Sequence, residues 1–138
     1  MVYSRRIELK TAGFCDVNDI TEELRRIVAE SGVTSGIACV ANPGSTAGIT
    51  TLEFEPGAIA DLQDALERLA PAKGRYKHDA TWGDGNGFAH LRSALVRTSL
   101  AVPVHDRALV LGTWQQVVFL DFDNRPRKRK LQVVVVGE

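Results

Sequence analysis

The chain has 138 residues, 44% of them hydrophobic and 25% charged, a size and composition that suit one domain around one core. Lys+Arg and Asp+Glu balance at 17 each, so no global charge draws the protein to nucleic acid or to an anionic membrane. The first residues lack the apolar region of a signal peptide, and no run approaches the roughly 18 apolar residues of a spanning helix, so the expected location is cytoplasmic.

Val2–Lys10 alternates, with Tyr3, Ile7 and Leu9 sharing a parity, and reads as a half-buried strand. After a turn at Gly13, Asn18 or Asp16 can cap a helix whose first turn carries Asp19, Glu22 and Glu23. Ile20, Leu24, Ile27 and Val28 form its apolar stripe, Glu22 and Arg26 are spaced i,i+4, and Gly32 ends it. Val33–Val40 predicts a strand buried on both faces, broken by Asn42–Thr46 and followed by a strand over Ala47–Phe54.

Glu55-Pro56-Gly57 opens a second helix with Pro56 near N1, its stripe formed by Ala58, Ile59, Leu62, Leu66 and Leu69, and Pro71 stops it. Ala89–Arg97 predicts a short third helix with Leu91, Ala94 and Leu95 inward. Leu100–Val104 and Ala108–Leu111 pair across the turn His105–Arg107, and Thr113–Asp121 and Lys130–Val136 are the last strands, joined through the turn Phe122–Pro126. Val133–Val136, four valines in a row, predicts a strand covered on both faces, and a partner subunit is one source of such cover. Seven or eight strands and three helices without regular βαβ alternation give an α+β class, a largely antiparallel sheet, and a single domain over residues 1–138. Cys15 and Cys39, without C-x-x-C spacing, read as buried or incidental.

Between the second and third helices, Tyr76–His90 carries neither a period of 2 nor one of 3.6. It reads as a long polar loop: Gly83, Gly85 and Gly87 alternate with Asp84 and Asn86, while Tyr76, Trp82 and Phe88 argue against disorder. Two histidines and two aspartates in such a loop point to a site.

The segments Tyr76–Asp79, Asp84–Leu91, Val102–Val104, Leu111–Gln116 and Arg125–Arg129, with Gly137-Glu138, occur in the same order as in the YjbQ family. Over essentially its whole length the chain resembles that family, also described as secondary thiamine-phosphate synthase. The resemblance implies a compact α+β subunit, an antiparallel sheet or sandwich, assembling as a homotrimer with sites near subunit boundaries. It also implies thiamine-phosphate synthase activity. Many members carry a histidine before Thr-Ser/Thr-Ala in the third strand, a natural third metal ligand. Here Gly44 stands at that position, so a three-histidine set does not carry over.

His78 and His90 are too far apart in sequence for a helical zinc pair, yet a folded loop can converge them. Neutral imidazole is the commonest metal ligand, which makes His78 and His90 candidates for a divalent ion, zinc or magnesium. Asp84 and Glu53 are candidates for the remaining ligands, with Asp79 as orienting or acid–base group. A structural role also fits: His90 supporting the third helix, His78 bonding loop backbone, and Asp84 and Asn86 making Asx turns.

Ser45 and Thr46 beside Gly44 can hold phosphate or form a tight turn. Arg125, Arg127 and Arg129 share the parity of Leu131, Val133 and Val135, so Arg127 and Arg129 are drawn toward a covered surface, where guanidinium suits phosphate or carboxylate. Trp114 and Gln115 line a pocket or belong to the core. Two functions fit these residues. One is an enzyme on a phosphorylated small molecule: a cation held by Asp79, Asp84 and Asn86, phosphate by Arg127 and Arg129, and a proton moved by His78 or His90. A hydrolytic variant uses the same residues with histidine-bound metal. The other is a non-enzymatic trimeric module that binds a metal or an anionic metabolite. Neither calls for nucleic acid or membrane.

Overall fold

The computed structural model describes residues 1–138. In chain order the elements are β1 (Val2–Thr11), β2 (Asp16–Asp19), α1 (Thr21–Ser31), β3 (Ser35–Ala41), β4 (Ala47–Leu52) and α2 (Pro56–Leu69). They continue with α3 (Lys77–Trp82), α4 (Gly87–Val96), β5 (Ser99–His105), β6 (Ala108–Leu109), β7 (Gln116–Asp121) and β8 (Arg127–Gly137). A five-stranded sheet runs β1-β8-β3-β5-β6 and a three-stranded sheet β2-β7-β4, with every pairing antiparallel. The α+β class and the antiparallel sheets are as the sequence predicts, with one helix more than the three expected.

The main core lies between the two sheets. Ile7, Ala38, Val40, Val102, Val104, Leu131, Val133 and Val135 come from the larger sheet, and Ile49, Val117 and Phe119 from the smaller. Ile20, Leu24, Ile27 and Val28 close it from α1 and its N-cap. On the other side of the small sheet, Val118, Leu120 and Phe122 pack with Cys15 on Leu66 of α2 and Phe88 and Ala89 of α4. Burying each large side chain contributes about 1.5–3 kcal/mol, so β7, apolar on both faces, ties the two cores together.

That double burial falls on β7 and not on the strands for which the sequence predicts it. In β3 and β8, Val40 and Val133 point inward while Ile37 and Val136 point outward, 52% and 49% exposed. The reason is position: β7 is the centre of the middle layer, whereas β3 and β8 belong to an outer sheet with one face uncovered by this chain.

Local chemistry sets the helix ends. Asp19 accepts from the Thr21 N–H (3.0 Å) and hydroxyl (2.5 Å), taking the capping role expected of Asp16 or Asn18. Those two belong to β2, paired with Asp121 and Phe119. Gly32, at φ +74°, closes α1 in the left-handed region that favours glycine. Glu22 pairs with Arg25 at 3.6 Å, and Arg26 turns instead to Glu30 at 3.9 Å. In α2, Pro56 occupies the first turn as predicted and the Glu55 carboxylate accepts from the Ala58 N–H. Only Leu66 of the expected stripe is fully buried, and Leu69 is exposed. The tight turn Asp106-Arg107, both at positive φ, joins β5 to β6 at the predicted place.

Candidate metal and anion site

Tyr76–His90 is two helices and a turn, not the loop that its lack of period suggests. α3 is too short to show a period, and it stops at Gly83, φ +67°. Asp84 then accepts from the Asn86 N–H at 3.1 Å in an Asx turn, and Gly85 adopts φ +69°. α4 begins at Gly87, where an added Cβ would lie 2.4 Å from Tyr76 Cβ. Only glycine lets α4 start this close to the strand-like entry of α3. Asp79 Oδ1 accepts from the Gly87 N–H at 2.8 Å, so α3 supplies the cap that Asn86 does not.

This packing brings the two histidines together. Their rings lie 4.2 Å apart, centroid to centroid, tilted by 38°. One ligand atom from each of His78, Asp84 and His90 lies within 4.8 Å of the others. His78 Nδ1 is buried with no hydrogen-bond partner, 3.5 Å from both Asp79 Oδ1 and Asp84 Oδ1. A buried unpaired nitrogen is costly, and a cation in the position between these atoms would use it. Tetrahedral zinc, at about 2.0–2.1 Å from each nitrogen, needs ligand atoms about 3.4 Å apart, a closure that side-chain rotation can supply. Two imidazoles and one carboxylate suit zinc and its neighbours better than magnesium, which prefers an all-oxygen set.

Asp84 and His90 open onto a polar cleft of about 600 Å³ that no hydrophobic residue lines. Asp84, Asn86 and His90 form one wall; Gly44, Ser45, Thr46, Arg125, Arg127 and Arg129 form the facing walls. The floor is a network that the sequence reading missed. Asp121 is fully buried, accepting from Arg129 Nε at 2.7 Å and Nη2 at 2.8 Å and from the Thr11 hydroxyl at 2.6 Å. Burial pushes its carboxyl up, but Arg129, Thr11 and the Asp123 N–H outweigh burial and hold it below the usual aspartate range. Asp123, also buried, accepts from the Thr46 hydroxyl (3.1 Å), Arg127 Nη1 (3.4 Å) and Asn86 Nδ2 (3.3 Å). Asp123 therefore joins the arginine wall to the turn that carries Asp84. Parity is a signal only within β8, where Arg129 continues the inward series of Leu131 and Val133; Asp121 and Asp123 lie beyond the turn, in and after a strand buried at both parities.

Asp84, His90, Asn86, Ser45, Thr46, Arg127 and Arg129 thus line one cleft, while His78 stands behind it against His90 and Asp84, and Asp79 holds the start of α4 without lining it. The side chain of Asn86 is spent on the fold, its Oδ1 accepting from the Asn124 N–H at 2.9 Å. Glu53, Trp114 and Gln115 are placed elsewhere. Glu53 and Trp114 line a separate hollow past the far end of β4, beyond Leu52↔Gln116, whereas Ala47↔Asp121 marks the cleft end. Six strand residues put them roughly 20 Å from the cleft end of β4. Gln115 Nε2 donates to Thr51 Oγ1 at 3.2 Å, and its Oε1 accepts from the Gly112 N–H, pinning the turn before β7. Gly44, at the exit of β3, lines the cleft without a side chain and brings no ligand atom to the His78–Asp84–His90 group.

Comparison with known proteins gives the same fold and sequence pattern. A YbjQ-like protein of unknown function from Sulfolobus solfataricus superposes with a TM-score of 0.95 at 30% identity, over 100% of this chain and 99% of that one. An uncharacterized protein of the yjbq/upf0047 family from Clostridium acetobutylicum gives 0.87 at 36% identity, over 96% and 99%. A UPF0047 protein of Archaeoglobus fulgidus is 38% identical over 127 residues, 92% of this chain and 96% of its own. YugU, a UPF0047 protein of Bacillus subtilis, is 33% identical over 135 residues, 96% and 98%. The model of the family described as UPF0047 protein YjbQ-like matches residues 5–138, and the chain belongs to that family.

Proposed function

We propose that the protein is a metal-dependent enzyme acting on a phosphorylated small molecule. The observation that carries this reading is the clustering of His78, Asp84 and His90, of which Asp84 and His90 line a polar cleft whose other walls carry Arg125, Arg127 and Arg129. When bound, a divalent ion held by His78, Asp84 and His90 would polarise a phosphoryl oxygen. The arginines hold the phosphate charge through charge-assisted hydrogen bonds, with Arg129 fixed from below by Asp121. Asp79 keeps α3 against α4 by accepting from the Gly87 N–H, which holds His78 beside His90.

Thiamine-phosphate synthesis, the activity implied by the resemblance, joins a pyrimidine diphosphate to a thiazole phosphate and releases pyrophosphate. The cleft suits its diphosphate leaving group. It offers no apolar wall for the rings, since Trp114 faces the other hollow. The features of the cleft therefore support chemistry at the phosphoryl group more directly than ring condensation. The outward face of the five-stranded sheet, where Val2, Ile37 and Val136 are exposed in one row, offers apolar surface of the kind that the implied homotrimer would bury.

The test is a set of turnover assays on the zinc-loaded protein, with phosphomonoesters, diphosphates and the pyrimidine diphosphate–thiazole phosphate pair. Turnover that His90→Ala abolishes without unfolding the protein supports an enzyme. Tight ligand binding with no turnover on any of these compounds would favour the non-enzymatic binding module instead.

A further inference from the structure

Asn42 sits where β3 leaves its sheet. Its backbone is fully used: the N–H donates to Thr98 O at 2.8 Å and the carbonyl accepts from the Gly44 N–H at 3.0 Å. Its side chain is 5% exposed, and Nδ2 is buried with no hydrogen-bond partner. A native fold rarely leaves a buried amide unpaired without a use for it.

The second free donor is on Arg129. Nε and Nη2 are committed to Asp121 and Thr46, while Nη1 makes no hydrogen bond within the chain. The two donors meet at Gly44: a Cβ there would lie 3.1 Å from Asn42 Nδ2 and 3.6 Å from Arg129 Nη1. Gly44 is not among the residues at positive φ, so its backbone does not require glycine. What glycine provides is room, on the wall of the cleft, in front of two unpaired donors.

We propose that Asn42 Nδ2 and Arg129 Nη1, across the bare face of Gly44, form a fixed subsite for a phosphoryl oxygen of the ligand. This rests on the reading of the cleft as a phosphoester site and adds Asn42 to it. The subsite is rigid where the outer arginines are not: Arg129 is 7% exposed and clamped at two nitrogens, whereas the Arg125 side chain is 70% exposed. Donors fixed before binding lose little freedom when the anion arrives. Because Asp121 already balances the charge of Arg129, selection here comes from hydrogen-bond geometry rather than net charge.

Calorimetric titration of the full chain with inorganic phosphate tests the proposal, using the parent, Gly44→Ala and Asn42→Leu. Gly44→Ala fills the space and keeps both donors; Asn42→Leu removes one donor. Each variant is expected to weaken phosphate binding tenfold or more, with acetate binding far more weakly than phosphate to the parent. The melting temperature of Asn42→Leu should not fall, because the amide it removes is unpaired; should that variant not fold, Gly44→Ala alone decides. Phosphate affinity unchanged in Gly44→Ala, acetate binding as tightly as phosphate, or no phosphate binding by the parent overturns the subsite. Metal content separates this from the wider reading. Phosphate binding lost in the variants of a chain that holds no metal keeps the subsite and removes the metal enzyme, and metal bound by a chain indifferent to phosphate does the reverse.

Discussion

Arg129 meets Asp121 side-on beneath the cleft, Nε to Oδ2 at 2.7 Å and Nη2 to Oδ1 at 2.8 Å, with both side chains buried. The pair turns a strand of the outer sheet toward the end of β7 and fixes the innermost cation of the site. Removing one partner leaves the other charged, buried and unpaired. Asp121→Leu and Arg129→Met should each destabilise the protein by about 3–5 kcal/mol in urea unfolding. The double variant should cost clearly less than the sum of the two. Additive losses would show that the two side chains act independently.

The same pair sets a pH dependence. The Asp121 carboxyl titrates below its usual range in the folded protein, because the Arg129 and Thr11 hydrogen bonds outweigh burial. The unfolded chain therefore binds its proton first as pH falls. The stabilisation is fully present above about pH 4 and is lost as pH drops through the lower, folded-state value. Stability measured between pH 6 and pH 2 should show this acid-side loss in the parent and lack its Asp121 component in Asp121→Asn. An identical pH profile in the two proteins would assign the acid sensitivity to other carboxylates.

Gly87 holds the histidines together indirectly. A Cβ at this position would meet Tyr76 Cβ at 2.4 Å and Asp79 Oδ1 at 3.0 Å, and neither the backbone of α3 nor its cap can yield freely. Gly87→Ala should lower stability by about 1–3 kcal/mol and loosen the His78–His90 contact, so that metal affinity falls with it. Thermal melts and zinc titration of this variant check both effects.

The two thiols should differ sharply. Cys15 is buried between β7 and the helices, and burial pushes its thiol up to about 11, so only about one molecule in a thousand carries the reactive thiolate at pH 8. Cys39 lies half-buried on the outward face of β3. A disulfide-exchange reagent at pH 8 should titrate no more than one thiol in the native protein and two after denaturation. Rapid modification of both native thiols would contradict the packing of the second core.

Much of the fold was legible because its signals are local. The alternation of β1, the stripe Ile20–Leu24–Ile27–Val28 and Gly32 at the end of α1 each depend on a few neighbouring residues. α4 shows where such reading ends. Its buried face is Phe88, Ala89, Arg92 and Ser93, while Leu91 and Leu95 are exposed, the reverse of the predicted Leu91–Ala94–Leu95 face. Arg92 is buried because Nε reaches Ala70 O at 2.9 Å and Nη2 reaches Glu67 at 2.6 Å, and Ser93 because it donates to Ala47 O at 2.6 Å. Those partners are remote in sequence, so hydrophobicity cannot find them. For the site, His78, Asp84 and His90 stood out by composition within one short stretch. Asp121, Asp123 and Asn42 did not, since their roles come from β4, β7 and β8 meeting at one end of the fold. Glu53 was a reasonable ligand by chemistry and is excluded from the triad by the length of β4.

Metal content bears on the central claim most directly. The purified protein, loaded with one equivalent of zinc and desalted, is measured by mass spectrometry beside His78→Ala, His90→Ala, Asp84→Ala and Glu53→Ala. Near-stoichiometric metal in the parent and in Glu53→Ala, lost in both histidine variants and reduced in Asp84→Ala while all remain folded, is the predicted result. A parent that retains no metal, or histidine variants that retain as much as the parent, would contradict the assignment of His78, Asp84 and His90 as a metal site.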